Sequence, residues 1–162
     1  MATQHHFRLT FWAAFWVFLI DQASKYYVVQ VLDLRTIGRL DVASPYLEFR
    51  MAWNYGINFG LFADFDVRWV LIAIAFLVCG FILWWLRRDG GNKWAFVSAG
   101  VAIGGALGNV IDRVLYGAVA DFLNMSCCGI DNPYAFNVAD IAIFAGILGL
   151  VWLTDSPKKK NT

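Results

Sequence analysis

Acids and an arginine placed at the ends of long apolar runs constrain this chain more than anything else in it. Asn109, Asp112 and Arg113 close one such run, and Asp121 follows a few residues later. Asp140 lies near the start of the next run, and Asp21 and Lys25 interrupt the first. An ionised group in hydrocarbon costs several kcal/mol or more unless it is paired or wetted. A fold that keeps these residues must therefore gather them. Carboxylates gathered beside one short loop suggest an acid/base pair, with the apolar remainder holding it at a membrane surface.

The class of protein follows from the balance of residues. Hydrophobic residues make up 60% of the chain and charged ones 15%, where a soluble domain carries about 25% charged. This is a membrane protein with room for roughly four spans of about 20 residues. A net charge of +1 and the lack of a basic or aromatic RNA-binding motif argue against a nucleic-acid partner. Cys79, Cys127 and Cys128 make neither a metal spacing nor a disulfide framework. Cys79 is a small packing residue within a span, and no cofactor or metal site is expected. His5 and His6 lie in a short polar start read as solvated tail, far from the acids, so a histidine-based triad is excluded.

The spacing predicts spans at about 7–31, 67–86, 94–116 and 137–153. The first has no small-x-small cleavage site after its apolar core, so it is expected to be retained rather than removed as a signal peptide. Residues 33–66 carry Arg35, Arg39, Asp41, Pro45, Glu48 and Arg50 and cannot span. Within them, Leu47, Phe49, Met51 and Trp53 alternate with Glu48, Arg50 and Ala52, the period of a half-buried strand. Asn54 to Gly60 reads as a turn whose glycines permit unusual backbone angles. The expected architecture is all-α, four transmembrane helices, with a small sheet on the outer side between helices 1 and 2. Gly100, Gly104 and Gly108 recur every four residues, a ladder that admits a close neighbouring helix in lipid. It is expected to help the third and fourth spans approach.

Arg8, Arg87, Arg88, Lys93 and the Lys158–Lys160 tail fall on one side of a four-span chain. Positive residues favour the cytoplasm, which puts both termini there and residues 33–66 and 117–136 outside. Arg35, Arg39 and Arg50 run against this, partly offset by Asp33, Asp41 and Glu48.

At a rise of about 1.5 Å per residue, Asp112 lies roughly 27 Å beyond Trp94. Asp21 and Lys25 lie roughly 21 and 27 Å beyond Phe7, at the same outer level. Asp121 is expected just past the helix end on the outer loop, and Asp140 one turn inside the fourth span. Each residue also has a plainer reading. Asp21 and Lys25, acid first and four apart, read best as a structural ion pair. Asn109 shares a helix face with Asp112 or Arg113. Arg113 has three roles open to it: pairing with a carboxylate, reaching out to the membrane surface, or binding an oxyanion or substrate. Taken singly, Asp121 is an ordinary loop acid and Asp140 a helix-start acid in a favourable dipole position. Convergence at one membrane level favours a site. Acids within spans also mark ion pathways, so a small proton- or ion-coupled transporter is the alternative, although a carrier would want its acid near the midplane. A structural membrane assembly subunit is a third reading.

Four blocks resemble the lipoprotein signal peptidases, also called signal peptidase II. They are Asp21-Gln-Ala-Ser-Lys25, Asn54-Tyr-Gly-Ile-Asn-Phe-Gly60, Gly108-Asn-Val-Ile-Asp-Arg113 with Gly117-Ala-Val-Ala-Asp-Phe122, and Phe136-Asn-Val-Ala-Asp140. Their order and spacing match, and the similarity covers essentially the whole chain. The resemblance implies an aspartic endopeptidase of the bacterial inner membrane, with its active site at the periplasmic face. Its substrates would be prolipoproteins, cut just before the diacylglyceryl-modified cysteine, and globomycin-type inhibitors would bind over the site. It implies Asp121 and Asp140 as catalytic, with Asn54, Asn109, Asp112, Arg113 and Asn137 supporting or binding substrate beside Asp21 and Lys25. Asn58 stands where the family has alanine, adding an amide to a substrate-facing turn. The stretch Leu123–Tyr134, with Cys127-Cys128-Gly129, differs from the family's aromatic-rich version.

Overall fold

The computed structural model describes residues 2–56, 66–127 and 132–154. Asn58, Gly60, Cys128, Gly129 and the lysine tail lie outside them. Helix α1, Ala2–Tyr26, continues into a π-helical turn, Tyr27–Val31. A short helix α2, Leu34–Ile37, leads to strands β1, Arg39–Ala43, and β2, Leu47–Asn54. Helices α3, Val67–Asp89, and α4, Lys93–Tyr116, follow, then strand β3, Val119–Met125, and helix α5, Val138–Thr154. Helix α1 begins at Ala2, so the polar start belongs to the helix. The His6 ring lies 5.2 Å from that of Phe96 instead of standing in solvent.

The helix ends follow their local sequence. Asn92 caps α4, its side chain accepting from the N–H groups of Trp94 at 2.9 Å and Ala95 at 3.0 Å, a cap that contributes about 1 kcal/mol. Gly117 stops the same helix at φ 78°, its N–H returning to the Arg113 carbonyl at 3.1 Å. Only a residue tolerant of the left-handed region ends a helix this way cheaply.

Helix α4 is the hub and packs along both α1 and α5. Its Ala95, Phe96, Ala99 and Ile103 form a core with Cys79, Ile82 and Leu86 of α3 and Leu150 of α5. The glycine ladder faces α1, not α5, which corrects the sequence expectation. A Cβ on Gly104 would come within 2.9 Å of Ala14 Cα, and Gly100 lies equally close to Thr10 and Ala13. The α4–α5 approach depends instead on Gly105, packed against Ala139, and on Gly146, packed against Ala102 and Ser98. A 3.6-residue period explains this: Gly105 lies a quarter-turn from Gly104 and so meets a different neighbour.

The sheet also departs from expectation. It has three antiparallel strands in the order β1-β2-β3, and the third comes from after α4, so it is not confined to the segment between the first two long helices. Asp121 is accordingly a strand residue and not a loop residue. A β-bulge falls between Phe49 and Ala52, after which Ala52 stands opposite Asp121 and Asn54 opposite Val119. The sheet rests on a second core of Val28, Leu34 and Phe122, with Leu40, Phe49 and Met51 against it. Among the described residues, two helices, α3 and α4, are long and apolar enough to cross a membrane, and α5 is apolar but shorter.

Candidate active site

The polar residues at the helix ends meet in one hydrogen-bonded network. At its base, Lys25 Nζ lies 2.8 Å from Asp21 Oδ2 and 2.7 Å from Asp112 Oδ2. All three side chains are buried. The Asp21–Lys25 pair has the spacing the sequence shows; the Asp112 contact joins it to α4. Gln22 completes the cluster, donating to Asp21 at 3.1 Å, Asp112 at 3.0 Å and the Gly108 carbonyl at 3.3 Å. Sequence reasoning passed over Gln22, although an amide beside Asp21 in an apolar helix was the available signal. A buried cation between two carboxylates is tolerable only because each oxygen finds donors. A Cβ on Gly108 would collide with Asp21, so only glycine lets this carboxylate lie against α4.

Above the cluster, two asparagines carry the network to two further acids. Asn109 Oδ1 accepts from Lys25 at 3.1 Å and from Asn137 Nδ2 at 3.2 Å, and Asn109 Nδ2 donates to Asp140 Oδ1 at 2.9 Å. Asn137 and Asp140 form a capping box at the start of α5. The Asn137 N–H donates to Asp140 Oδ2 at 3.2 Å, and the Asp140 N–H donates to Asn137 Oδ1 at 2.9 Å. With its oxygen so used, the Asn137 side chain turns its NH₂ to Asp121 Oδ1 at 2.6 Å. The other Asp121 oxygen accepts from Asn54 Nδ2 at 3.1 Å. Asn54 is oriented in turn by the Gly56 N–H, which donates to its Oδ1 at 3.0 Å. Asn54 and Asp121 are diagonal neighbours on one face of the β2–β3 ladder, and small Ala52 stands opposite Asp121.

Asp121 is only 4% exposed. Burial pushes its carboxyl up to about 6, and the Asp140 charge acts in the same direction. The Asn54 and Asn137 donors and the Lys25 charge oppose the shift without cancelling it. Asp140 is half-buried and Asn54 exposed, so the pair is reached from the side on which these two lie. Two carboxyl groups, one of them keeping its proton up to about pH 6, held by fixed amides at the mouth of an apolar bundle, suit acid/base hydrolysis.

Arg113 forms no ion pair with a carboxylate among the described residues. Its Nη1 donates to the Asn109 carbonyl at 3.3 Å, and its Nε is buried without a hydrogen-bond partner among the described residues. Asn124, which sequence reasoning also missed, is fully buried and donates to the carbonyls of Asn132 at 2.7 Å and Tyr134 at 2.9 Å. It thereby shapes the connection from β3 towards α5. A cavity of about 260 Å³ beside the lysine cluster is lined by Gln22, Lys25, Tyr26, Trp53, Asp112 and Tyr116. Neither Asp121 nor Asp140 lines it.

Comparison with known proteins follows the same lines. A family model described as signal peptidase (SPase) II matches residues 13–154. The lipoprotein signal peptidase of Methylorubrum extorquens (strain PA1) is 40% identical over 147 residues, covering 88% of this chain and 84% of that protein. That of Aeromonas hydrophila is 37% identical over 143 residues, covering 86% and 84%. Two solved structures, each described as a bacterial membrane enzyme studied by the in meso method, share the fold. One, at 2.3 Å resolution, superposes with a TM-score of 0.75 at 27% identity, covering 94% of this chain and 92% of its own. The other, at 1.9 Å, gives 0.78 at 25% identity, covering 91% and 93%.

Proposed function

The chain belongs to the signal peptidase II family, and from that membership we infer that it is an aspartic endopeptidase that removes signal peptides from lipoprotein precursors. Asp121 and Asp140 are the catalytic pair in this reading. The observation that carries it is the placing of Asn137, which donates through its side chain to Asp121 and through its main chain to Asp140. One residue thus fixes both carboxyls relative to each other.

The roles within the pair follow from their surroundings. Asp121, with its carboxyl near 6, holds the shared proton and polarises the scissile carbonyl. Asp140, in the first turn of α5, lies where a helix favours negative charge and takes a proton from the attacking water. Water oxygen bonds to the carbonyl carbon as the Asp121 proton passes to the carbonyl oxygen. Collapse of the resulting diol returns a proton to Asp121 and delivers the Asp140 proton to the leaving nitrogen. In this reading Arg113 serves an oxygen that gains charge on the way.

The same reading sets the substrate and the surroundings. The precursor is cut just before a diacylglyceryl-modified cysteine, whose acyl chains, at about 0.8 kcal/mol per buried CH₂, fix the scissile bond at the depth of the pair. Globomycin-type inhibitors are expected to occupy the space over Asp121 and Asp140. The chain crosses the inner membrane four times as one domain, with both termini in the cytoplasm and the pair at the periplasmic face. Helix α5, 17 residues long, reaches about 25 Å at 1.5 Å per residue, short but within the spanning range.

Incubating purified protein with a diacylglyceryl-modified precursor and with its unlipidated form tests the function. A shortened product from the lipidated form alone is expected. Equal turnover of both would remove the lipid from the account, and no product from either would contradict the reading.

A further inference from the structure

The sequence presents Asp21–Lys25 as an ion pair within one helix, but its neighbours tie it to the chemistry. Lys25 has three N–H donors and no acceptor, and its ammonium meets three oxygens. It donates to Asp21 Oδ2 and Asn109 Oδ1 and forms an ion pair with Asp112 Oδ2. The other oxygen of Asp21, the Asp112 oxygen that Lys25 itself holds, and the far side of the amide all lead toward the dyad. Asp21 Oδ1 accepts the main-chain N–H of Ala139 at 2.9 Å, the residue before Asp140. Asp112 Oδ2 accepts the main-chain N–H of Ala120 at 3.3 Å, the residue before Asp121. Asn109 donates directly to Asp140.

We propose that Lys25 is a positioning residue for the reaction, clamping Asp21 and Asp112 so that these carboxylates hold α5 and β3 in register at Asp140 and Asp121. The same ammonium fixes the Asn109 amide. Were that amide to flip, its NH₂ would face Lys25 and the Asn137 NH₂, donor against donor, and its oxygen would face the Asp140 carboxylate. The cation therefore also keeps a donor aimed at Asp140. Helix α1 carries no member of the dyad, yet through Lys25 it sets the separation of two elements that do. The proposal rests on Asp121 and Asp140 being the dyad. It adds a dependence of turnover on a residue with no contact to either.

Lys25→Met alone would strand two buried carboxylates and is prone to unfold. The test therefore uses the charge-conserving double variant Asp21→Asn/Lys25→Met, in which the amide oxygen can still accept from Ala139. Thermal unfolding in detergent counts the folded enzyme, and kcat and KM for lipidated precursor are measured per folded molecule. The expected result is a kcat lower by roughly tenfold to a hundredfold, as displacement of reacting groups by a fraction of an ångström to one ångström produces, with KM within about twofold. A kcat within about twofold of wild type in the folded double variant would overturn the positioning role. Asp140→Asn run in parallel separates the two claims. If it is inactive while the double variant turns over normally, only the role of Lys25 falls. If it retains near wild-type turnover, the dyad reading falls first.

Discussion

Asn137 donates its side-chain amide to Asp121 across 2.6 Å, joining the start of α5 to the third strand of the sheet. This contact is available only because the other half of the amide is engaged as the cap of α5. Folding of the helix end and placement of the acid are one event.

Asn137→Ala should therefore lose two things that a second substitution can separate. Stability should fall by about 1 kcal/mol from the missing cap, and turnover on the order of a hundredfold from the misplaced carboxyls. Asn137→Ser restores a cap oxygen but cannot reach Asp121, so it should recover stability and remain slow. Thermal unfolding and precursor cleavage for both variants check this.

Acid should stabilise the protein in one window. A carboxyl raised from 3.8 to about 6 on folding contributes stability that is complete below its unfolded value and lost as pH rises through its folded one. The window is thus about pH 4 to 6. Asp121→Asn should flatten that dependence, so that its stability relative to wild type improves between pH 4 and pH 8 by on the order of 1–3 kcal/mol. Denaturation at a series of pH values reads this, and a variant that keeps the wild-type pH dependence would contradict the burial argument.

Glycines that look alike in sequence should differ in cost. Gly104→Val drives a side chain into the Ala14 main chain and should cost about 1–3 kcal/mol. Gly80, in the interior of α3 with nothing within 4 Å of its missing Cβ, should tolerate alanine and gain up to about 1 kcal/mol in helix propensity. Melting temperatures of the two variants give the comparison.

Orientation is open to a direct check. Reporters fused after Arg88 should be cytoplasmic, and one inserted near Asp41 periplasmic. An external position after Arg88 would invert the site.

Much of this was legible before any coordinates. The Asp21–Lys25 spacing, the level shared by Asp112, Asp121 and Asp140, and the strand alternation from Leu47 to Trp53 all come from periodicity, which sequence carries directly. What escaped was partnership across the chain. Val119–Met125 reads as a loop because its strand character comes from pairing with β2, a non-local fact. The ladder at Gly100, Gly104 and Gly108 shows that a helix packs closely without saying which one, and it proved to be α1. Gln22 and Asn124 were missed because amides carry no charge to make their burial conspicuous. The capping box was legible in Asn137-x-x-Asp140 but was overshadowed by the acid itself.

The central claim is that Asp121 and Asp140 act as one acid/base pair. Asp121→Asn and Asp140→Asn keep the shape of each side chain and remove one carboxyl from a two-carboxyl mechanism. Turnover and binding of lipidated precursor, measured across pH for wild type and each purified variant, test it most directly. Wild type should show a bell-shaped profile whose limits belong to the pair. Each variant should bind precursor and cleave almost none of it. Near wild-type turnover in either variant would contradict the account.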